Sequence, residues 1–387
     1  MDTQKLDQTY IANTYARFPV TIVKGKGSLV WDDTGKEYID LSTGIAVDIF
    51  GVADEEWMAA VTKQLGTLQH ISNLYYTEPC VKLAQMLCEK TGMKKVFFGN
   101  SGAEANECAI KAARKWSEEK KGKDYSTIIT LKNSFHGRTI TTLVATGQDV
   151  FHHDFTPLTE GFVYAEPNDL ADLEQLIKAN KCAAVMMEVV QGEGGVMPLD
   201  EAYVKGAAKL CEQYDLLLIC DEVQVGNGRS GKLYGYMHYG VQPDIVSTAK
   251  GLAGGLPLGA TLLGEKVQDV LSAGTHGSTF GGNPVCCAGA INVLSRLDEK
   301  MLEGVEERSA YIKQELAGAK GVLGVSGLGL MLGIQTEKNA SDIIAACREK
   351  GVLVIKAKDK LRLLPALNIP MEQLQKAVAV IKECCAE

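Results

Sequence analysis

Residues 216–224 read Leu-Leu-Leu-Ile-Cys-Asp-Glu-Val-Gln, five apolar residues followed at once by an acid. A short apolar run of this kind is typical of a parallel strand that is covered on both faces. Similar runs predict further strands at Lys95–Phe98, Thr127–Leu131, Ala183–Val190 and Ile245–Thr248. Helical segments precede or separate several of these runs, so the alternation predicts an α/β domain of three layers.

The run Asn100-Ser-Gly-Ala-Glu104 follows one of these strands and predicts the start of a helix. Ser101 and Glu104 form an S-x-x-E capping pattern, and Gly102 lets the backbone approach a ligand closely. One face of the helix is then predicted from small and apolar residues at helical spacing: Ala105, Cys108, Ala109, Ala112, Ala113 and Trp116. The N–H groups at such a helix start favour an anion such as phosphate, although an ordinary helix cap has the same pattern.

The two ends of the chain predict smaller β-containing parts. Alternating runs joined by Gly-rich turns predict an antiparallel sheet from Val20–Ile22, Ser28–Trp31 and Tyr38–Leu41. Beyond residue 285 the sequence is rich in helices, and strands are expected at Leu332–Gln335, Val352–Ile355 and Leu361–Leu364. We therefore expect residues 1–55 to join a small α+β domain formed by residues 286–387, with residues 56–285 forming the large domain.

The composition excludes several classes of protein. Hydrophobic residues make up 46% and charged residues 23% of the 387 residues, which is ordinary for a globular chain. The net charge of −8 gives no general attraction to nucleic acid or to an anionic membrane. We find neither a signal peptide nor an apolar run near the ~18 residues of a membrane helix. The eleven cysteines lack CxxC spacing, which favours reduced thiols in the cytoplasm.

Residues with distinctive chemistry stand where predicted strands end. The carboxylate of Asp221, at the edge of the core, needs a metal, an arginine or a protonated ring nitrogen as its partner. Lys250 enters a Gly-rich, uncharged stretch, where desolvation favours the neutral amine that C=N bond formation requires. Phe135 and Arg138 lie on either side of Gly137 and suit a planar ring and a carboxylate respectively. Together with the helix start, this ordered set predicts a pyridoxal-phosphate site.

Two motifs point to other functions. Gly226–Lys232 fits the start of a phosphate-binding loop and would suit an ATPase or nucleotide switch, with Asp221 as its acid. Leu233 stands where a Ser or Thr would hold Mg²⁺, so a Gly-rich surface loop is favoured. His152-His153-Asp154 has no further ligand spacing, and we predict no metal. A non-catalytic scaffold on the same fold is disfavoured by the intact Lys250 and Asp221.

One further Gly-rich segment precedes a predicted strand. Gly324–Gly329 superficially resembles a dinucleotide-binding loop, but it precedes a strand rather than a helix, so a turn is predicted there.

Over nearly its whole length the chain resembles the class III (ω-)aminotransferases of fold type I, in particular those that act on acetylornithine. The resemblance rests on the elements above and on Gly44–Val47, Glu188–Gly195, Gly274–Pro284 and Leu361–Pro365. It implies the PLP-dependent transferase fold of type I, with a large mixed-sheet, three-layer domain and a smaller α+β domain. It also implies pyridoxal 5′-phosphate as the cofactor.

The resemblance implies a role for each residue of the cofactor site. Lys250 would bond covalently to the cofactor, and Asp221 would hold its ring nitrogen protonated. Phe135 and Val223 would lie on opposite faces of the ring. The other implied contacts are Gln224 to the ring oxygen, Ser101, Gly102 and Ala103 to the phosphate, and Thr279 to the phosphate of the neighbouring subunit's cofactor. A homodimer follows from this last contact.

The resemblance also implies how substrates bind. Arg138, with Ser278 beside it, would bind a carboxylate remote from the reacting amine, and Arg362 would bind the α-carboxylate of glutamate. Glu193 would pair with Arg362 while an ω-amine donor is bound. The implied reaction converts N2-acetyl-L-ornithine and 2-oxoglutarate to N-acetyl-L-glutamate 5-semialdehyde and L-glutamate, a step of arginine biosynthesis. Succinylornithine, ornithine, 4-aminobutyrate and a diaminopimelate precursor stay open as donors.

Three positions depart from the family pattern. Val52-Ala-Asp-Glu55 stands where His-x-His-Pro usually follows Gly51. Val189 replaces a frequent Pro, and Ser326 replaces a frequent Arg. Because none of these positions is Lys250 or Asp221, the departures concern substrate preference and the dimer contact rather than the chemistry.

Overall fold

The computed structural model describes residues 2–387. Its strands are β1 (Ile22–Lys26), β2 (Leu29–Asp32), β3 (Glu37–Asp40), β4 (Lys95–Gly99), β5 (Thr127–Leu131), β6 (Phe162–Ala165), β7 (Cys182–Met187), β8 (Val190–Gln191), β9 (Met197–Pro198), β10 (Leu217–Asp221), β11 (Ile245–Thr248), β12 (Gly259–Leu263), β13 (Val322–Leu328), β14 (Met331–Thr336), β15 (Val352–Leu353), β16 (Ile355–Ala357) and β17 (Lys360–Leu363).

The helices alternate with these strands through the middle of the chain. They are α1 (Thr3–Tyr10), α2 (Thr43–Ala46), α3 (Glu55–Leu65), α4 (Glu78–Thr91), α5 (Gly102–Lys121), α6 (Ile140–Ala145), α7 (Leu170–Ala179), α8 (Glu201–Gln213), α9 (Pro284–Arg296), α10 (Glu299–Leu316), α11 (Ala340–Glu349) and α12 (Met371–Ala386). Within residues 2–387 we find no helix with the length and apolarity needed to cross a membrane.

The central sheet has seven strands in the order β4-β12-β11-β10-β7-β5-β6. Strand β12 runs antiparallel to both of its neighbours, and the other pairs are parallel. Leu217 and Ile219 of β10 pack in one apolar cluster with α5, whereas Leu218 and Cys220 pack in a second cluster. Because successive side chains of a strand point to opposite faces, the sheet is buried on both sides. The mixed sheet and the three layers confirm the predicted fold class.

Helix α5 begins as the sequence predicts. Ser101 is its N-cap, and the Ser101 hydroxyl accepts a hydrogen bond from the Glu104 N–H at 3.2 Å. The predicted face of the helix is buried from Ala105 to Trp116. This face packs on the sheet, and it places the amino end of α5 beside the carboxyl ends of the parallel strands.

The two smaller sheets contain strands from both ends of the chain. One has the order β1-β2-β3-β15, and the other has the order β13-β14-β17-β16. Strand β15, from the C-terminal part, pairs in parallel with β3, which lies near the N-terminus. The division of the chain at residues 55 and 285 stays a prediction, and this pairing supports joining the N-terminal segment to the small domain.

Four local predictions are wrong. The Gly-rich turn predicted between Val20–Ile22 and Ser28–Trp31 is misplaced, because residues 24–26 lie within β1 and the chain reverses only after Lys26 pairs with Leu29. The predicted turn at Gly324–Gly329 is mostly strand β13, which pairs with β14. The predicted strand Val352–Ile355 is divided between β15 and β16, which belong to different sheets. The predicted strand Ala183–Val190 ends at Met187 as β7.

The Gly226–Lys232 segment is also not the surface loop that we expected, because residues 226–231 are buried. Arg229 is fully buried, and its guanidinium donates to the backbone carbonyls of Leu330 and Pro365. Asn227 donates to the Ala249 carbonyl at 3.0 Å. The segment therefore joins the end of β11 to the C-terminal part of the chain.

Candidate active site

A cavity of about 480 Å³ lies at the carboxyl ends of β10 and β11. Ligands bind in this position in open α/β sheets, and the volume suits a small molecule. The predicted site residues that line it are Ser101, Gly102, Ala103, Phe135, Arg138, Asp221, Val223, Gln224 and Lys250. The structure thus brings together side chains that are up to 149 positions apart in the sequence (Ser101 and Lys250).

Lys250 follows β11 and begins a 3₁₀ turn, with a positive φ of 46°. Such a backbone conformation is costly for a residue with a side chain and is often found at functional sites. Within residues 2–387, no hydrogen bond or ion pair engages the Lys250 ammonium. Withdrawal from water lowers the pKa of Lys250, although the charge of Glu193 acts in the opposite direction. The lowered pKa increases the fraction of neutral amine.

Asp221 is the last residue of β10 and is 3% exposed. Its Oδ2 accepts hydrogen bonds at 2.8 Å from His136 Nδ1 and from Asn106 Nδ2, and its Oδ1 accepts one from the Val223 N–H at 3.0 Å. A carboxylate has about four acceptor positions. Three are used by the protein, so the carboxylate can accept one further donor from the cavity.

The His136 imidazole supports the charge of Asp221. Burial disfavours its charged form, but the hydrogen bond to Asp221 and the negative charges of Asp221 and Glu188 outweigh this effect and raise the pKa of His136. The hydrogen bond from His136 therefore stabilises a negative charge on Asp221, and the carboxylate in turn favours a proton on the imidazole.

The start of α5 forms the opposite wall. Gly102 and Ala103 both line the cavity, and the first N–H groups of a helix have no partner within the helix. A Cβ atom at Gly102 would lie 2.6 Å from Cγ1 of Val223, so only glycine fits here. This wall offers N–H donors and a favourable helix dipole to an anion.

Pyridoxal phosphate fits this set of groups. Asp221 can accept from a protonated ring nitrogen, and the α5 amino end can bind a phosphate. Val223 and Phe135 give the cavity apolar surfaces, and Lys250 has an unengaged amine for the aldehyde. The fit rests on these donors, acceptors and apolar surfaces, which line one cavity.

Arg362, on β17, meets Glu193 beside the cavity. Its NH1 is 2.5 Å from Glu193 Oε1 and 3.1 Å from the Gln224 side-chain oxygen, and its NH2 is 3.3 Å from Glu193 Oε2. Burial alone would raise the pKa of Glu193, but the charge and hydrogen bonds of Arg362 outweigh it and lower the pKa. The ion pair is therefore formed at neutral pH. Arg362 also contacts Gln224, which lines the cavity.

Arg138 is exposed at the edge of the cavity. Its guanidinium lies 4.2 Å from the centre of the Phe151 ring and 5.7 Å from that of Phe135. Within residues 2–387, no carboxylate lies within 4.0 Å of it. The aromatic rings hold the cation in place, and its charge remains available to a ligand.

Ser278 and Thr279 do not line the cavity of this chain. The Ser278 hydroxyl accepts from Asn100 Nδ2 at 3.2 Å and from the Gly281 N–H at 2.9 Å. Thr279 is exposed. The expected position of Ser278 beside Arg138 and the expected contact of Thr279 stay predictions.

Five further residues line the cavity without having been assigned a role from the sequence: Tyr15, Asn106, His136, Gly137 and Glu188. Glu188 follows the buried strand β7, and Asp221 ends the buried strand β10. An acid at the end of an apolar run is therefore a sequence signal that could have identified Glu188 too. Asn106 is a polar residue on the buried face of α5, which is a second usable signal. We see no sequence signal that identifies Tyr15.

Comparisons with known proteins identify the family to which the chain is similar. The family model described as aminotransferase class-III matches residues 10–385. The acetylornithine aminotransferase of Haemophilus ducreyi is 49% identical to this chain, covering 99% of this chain and 98% of its own length.

Two solved structures are also similar to the chain. The N-acetylornithine aminotransferase of Stenotrophomonas maltophilia is 36% identical with a TM-score of 0.86, covering 99% of this chain and 98% of its own. The ornithine aminotransferase of Toxoplasma gondii, which has PLP at partial occupancy in its active site, is 34% identical with a TM-score of 0.94, covering 99% and 93%.

Proposed function

The chain belongs to the class III aminotransferases, and from this membership we propose that it transfers the ω-amino group of N2-acetyl-L-ornithine to 2-oxoglutarate with pyridoxal phosphate as cofactor. The products are N-acetyl-L-glutamate 5-semialdehyde and L-glutamate. The acetylornithine aminotransferase of Haemophilus ducreyi supports this donor through its 49% identity. The similarity to an ornithine aminotransferase makes ornithine the second candidate.

The observation that carries the choice of donor is that, within residues 2–387, Arg362 has an ion-pair partner and Arg138 has none. Arg362 is paired with Glu193, whereas Arg138 has no carboxylate within 4.0 Å. N2-Acetylornithine has one carboxylate, and its α-nitrogen is neutral. It therefore needs one unpaired cation far from the reacting amine, which Arg138 provides. Ornithine brings a positive α-ammonium next to Arg138, and like charges repel.

The second substrate needs both arginines. 2-Oxoglutarate has two carboxylates, and we assign the remote one to Arg138 and the α-carboxylate to Arg362. Glu193, part-exposed at the edge of the cavity, then has to release Arg362. A pair that opens for one substrate and stays closed for the other lets one cavity accept both.

The side chains of the cavity have distinct tasks in the proposed reaction. When bound, pyridoxal phosphate supplies an aldehyde for the amine and an electron-withdrawing ring. The neutral Lys250 amine removes a proton from the donor carbon that bears the nitrogen, and its lowered pKa increases the fraction of this neutral base. Asp221 would accept a hydrogen bond from the ring nitrogen through its remaining acceptor position, and Val223 and Phe135 would offer apolar surfaces to the ring.

A panel of amine donors tests the proposed substrate. With 2-oxoglutarate as acceptor, kcat/KM for acetylornithine should exceed that for ornithine and 4-aminobutyrate by at least about tenfold, which corresponds to roughly 1.4 kcal/mol. Succinylornithine, which has a neutral α-nitrogen as well, should fall between them. A higher kcat/KM for ornithine would reject the proposed donor and leave the aminotransferase assignment intact.

Replacing Arg362 by alanine should separate the two half-reactions. Loss of a charged, bidentate contact costs roughly 3 kcal/mol, so KM for 2-oxoglutarate should rise about 100-fold. The amine half-reaction with acetylornithine, measured by single-turnover spectroscopy, should change much less. Glu193→Ala is the matched control, because it leaves Arg362 available and should not raise KM for 2-oxoglutarate. Equal effects of the two variants on this KM would contradict the assignment.

We also propose that the enzyme acts as a homodimer in which Thr279 contacts the phosphate bound by the partner. Large apolar side chains are exposed near it, including Leu74 at 87%, Tyr76 at 99% and Phe280 at 59%. Asn73 connects the segment that contains Leu74 and Tyr76 to the segment that contains Phe280. Its Nδ2 donates to the carbonyls of Ser278 and Gly281. Exposed apolar side chains grouped in this way support an interface between subunits.

Co-expression of two inactive variants tests the shared site. Lys250→Ala removes the amine from one subunit, and Thr279→Asp places a negative charge against the phosphate bound by the other. In a mixed dimer one site keeps both native residues, so co-expression should restore about a quarter of the wild-type activity if subunits pair at random in a two-fold dimer. Each variant expressed alone is the control. No recovery in verified mixed dimers would show that Thr279 does not act across the interface.

The thiols support a cytoplasmic location. Each of the eleven cysteines is free, and Cys108, Cys211 and Cys347 are among those that are buried. Reduced thiols are expected in the cytoplasm rather than in oxidising compartments. We propose that the enzyme works there.

A further inference from the structure

The carboxylate of Glu188 joins two loops of the site. Its Oε1 accepts a hydrogen bond from the Phe135 N–H at 2.8 Å, and its Oε2 accepts one from the Gly192 N–H at 3.3 Å. The first loop contains Phe135 and Arg138, and the second contains Glu193. Glu188 is 5% exposed and lines the cavity. One side chain thus sets the distance between the loops that face the cofactor and the substrates.

Only the ionised carboxylate can hold both loops well. Both oxygens of a carboxylate are strong acceptors, whereas protonation turns one of them into a hydroxyl donor. The protonated oxygen would face an N–H group, and one of the two contacts would be lost.

We propose that Glu188 is a positioning residue whose carboxylate anion holds the Phe135 loop and the Gly192 loop in the arrangement needed for amino transfer, and whose protonation releases one loop and slows the reaction. This inference rests on the proposed function, because it assigns Glu188 a role in the same site. It differs from the role of Lys250, since Glu188 acts through the two loops.

The charges that face Glu188 place this change near neutral pH. They are His136 from the loop after β5, Asp221 at the end of β10 and Lys250 after β11. Burial raises the pKa of Glu188 to about 7, with His136 opposing this effect and Asp221 adding to it. The carboxylate is therefore the main form above pH 7, and the protonated form prevails below it.

The pH dependence of the holoenzyme tests the proposal. For the wild type, kcat should fall as the pH is lowered through about 7. Glu188→Gln should abolish this limb and lower kcat at pH 8 by roughly tenfold, because the amide can accept from one loop only and its NH₂ faces the other N–H. Glu188→Asp, which keeps a titrating carboxyl but reaches one loop, should also be slow at pH 8.

Glu222→Gln is the matched control. Glu222 is also fully buried and accepts two backbone hydrogen bonds, from the N–H groups of Gly235 at 2.7 Å and Tyr236 at 2.8 Å, but it does not line the cavity. Burial raises its pKa to about 8. The acid limb of kcat should therefore persist in this variant if the limb belongs to Glu188.

The pH dependence of unfolding provides a readout without catalysis. A carboxyl whose pKa is higher in the folded state stabilises the protein below its unfolded pKa, and this stabilisation is lost as the pH rises through the folded value. The Tm of the cofactor-free wild type should thus fall relative to that of Glu188→Gln between pH 5 and pH 8.

The results that would reject the role of Glu188 differ from those that would reject the proposed substrate. A wild-type kcat that is flat across pH 7, a limb that persists in Glu188→Gln, or parallel Tm curves would each overturn the role of Glu188. If acetylornithine is not a substrate but another donor is, the same pH profile is measured with that donor, so the proposed function fails alone.

Discussion

Replacing Lys250 by alanine is expected to lower kcat by at least about 10⁴-fold, the upper range of what a single general acid–base group contributes. The reason lies in the cavity. Lys250 is the lining residue with an amine, and within residues 2–387 its nitrogen has no hydrogen-bond partner. Burial lowers its pKa, so it supplies a base that the neighbouring Asp221 and Glu188 do not replace at the same position.

Two controls distinguish the loss of the neutral amine from the loss of a positive charge and from a general effect of removing a lysine. Lys250→Arg keeps a cation of similar length that cannot lose its proton, so it should be as inactive as alanine. Lys266→Ala removes an exposed lysine that pairs with Asp244 at 3.1 Å, far from the cavity, and should be unchanged in activity. Cofactor should still bind to Lys250→Ala through the other groups, and the visible spectrum measures this.

Borohydride gives a second readout for the same residue. Reduction should attach the cofactor covalently to the wild type and not to Lys250→Ala, as measured by the mass of the intact chain. Wild-type turnover by the alanine variant would refute the assignment, whatever the outcome of the labelling.

The residues that could be predicted from the sequence share one property. Asp221, Lys250 and Ser101 each follow a run of apolar residues, so a local pattern places them at the carboxyl edge of the sheet. The three residues lie close together at this edge regardless of the conformation of the connecting loops. For this reason the cofactor side of the cavity was predicted more fully than its surroundings.

The residues that could not be predicted depend on distant contacts. Arg229 is buried because its guanidinium meets the carbonyls of Leu330 and Pro365, more than a hundred positions away, and nothing local distinguishes its loop from an exposed one. Glu188 was missed for a different, local reason, because the strand was predicted to continue to Val190 although an acid interrupts its apolar run. The strand ends at Met187, so the acid lies at the edge of the sheet.

The backbone of residues 43–46 illustrates the same limit of local patterns. Thr43, Gly44, Ile45 and Ala46 all have positive φ, although left-handed conformations are normally single residues because each costs roughly 1–2 kcal/mol. The surrounding contacts stabilise it, since the Thr43 hydroxyl donates to the Leu364 carbonyl at 2.6 Å. No pattern in Gly44–Val47 predicts this shape, and one of the contacts that stabilise it comes from a residue 321 positions later.

Replacing Asp221 by asparagine should have the second-largest effect and lower kcat by about 10³-fold, since breaking a buried charge pair costs roughly 3–5 kcal/mol. Asparagine keeps the shape of the side chain and removes its charge. It also sets an NH₂ group against two donors, His136 Nδ1 and Asn106 Nδ2, which both bond to Oδ2 in the wild type. The protonated ring nitrogen would then have no anionic partner.

The same substitution should change the pKa of His136, which can be measured without turnover. Because the carboxylate of Asp221 helps to raise the pKa of His136, this pKa should fall in Asp221→Asn, and NMR titration of the imidazole measures it. Asp244→Asn is the matched control: its carboxylate accepts from the Leu218 N–H at 2.9 Å on the neighbouring strand and lies outside the cavity. It should leave both kcat and the His136 titration unchanged. Wild-type kcat in Asp221→Asn would mean that the buried carboxylate serves the fold alone, and a lowered kcat with an unchanged His136 would separate its catalytic role from the charge pair.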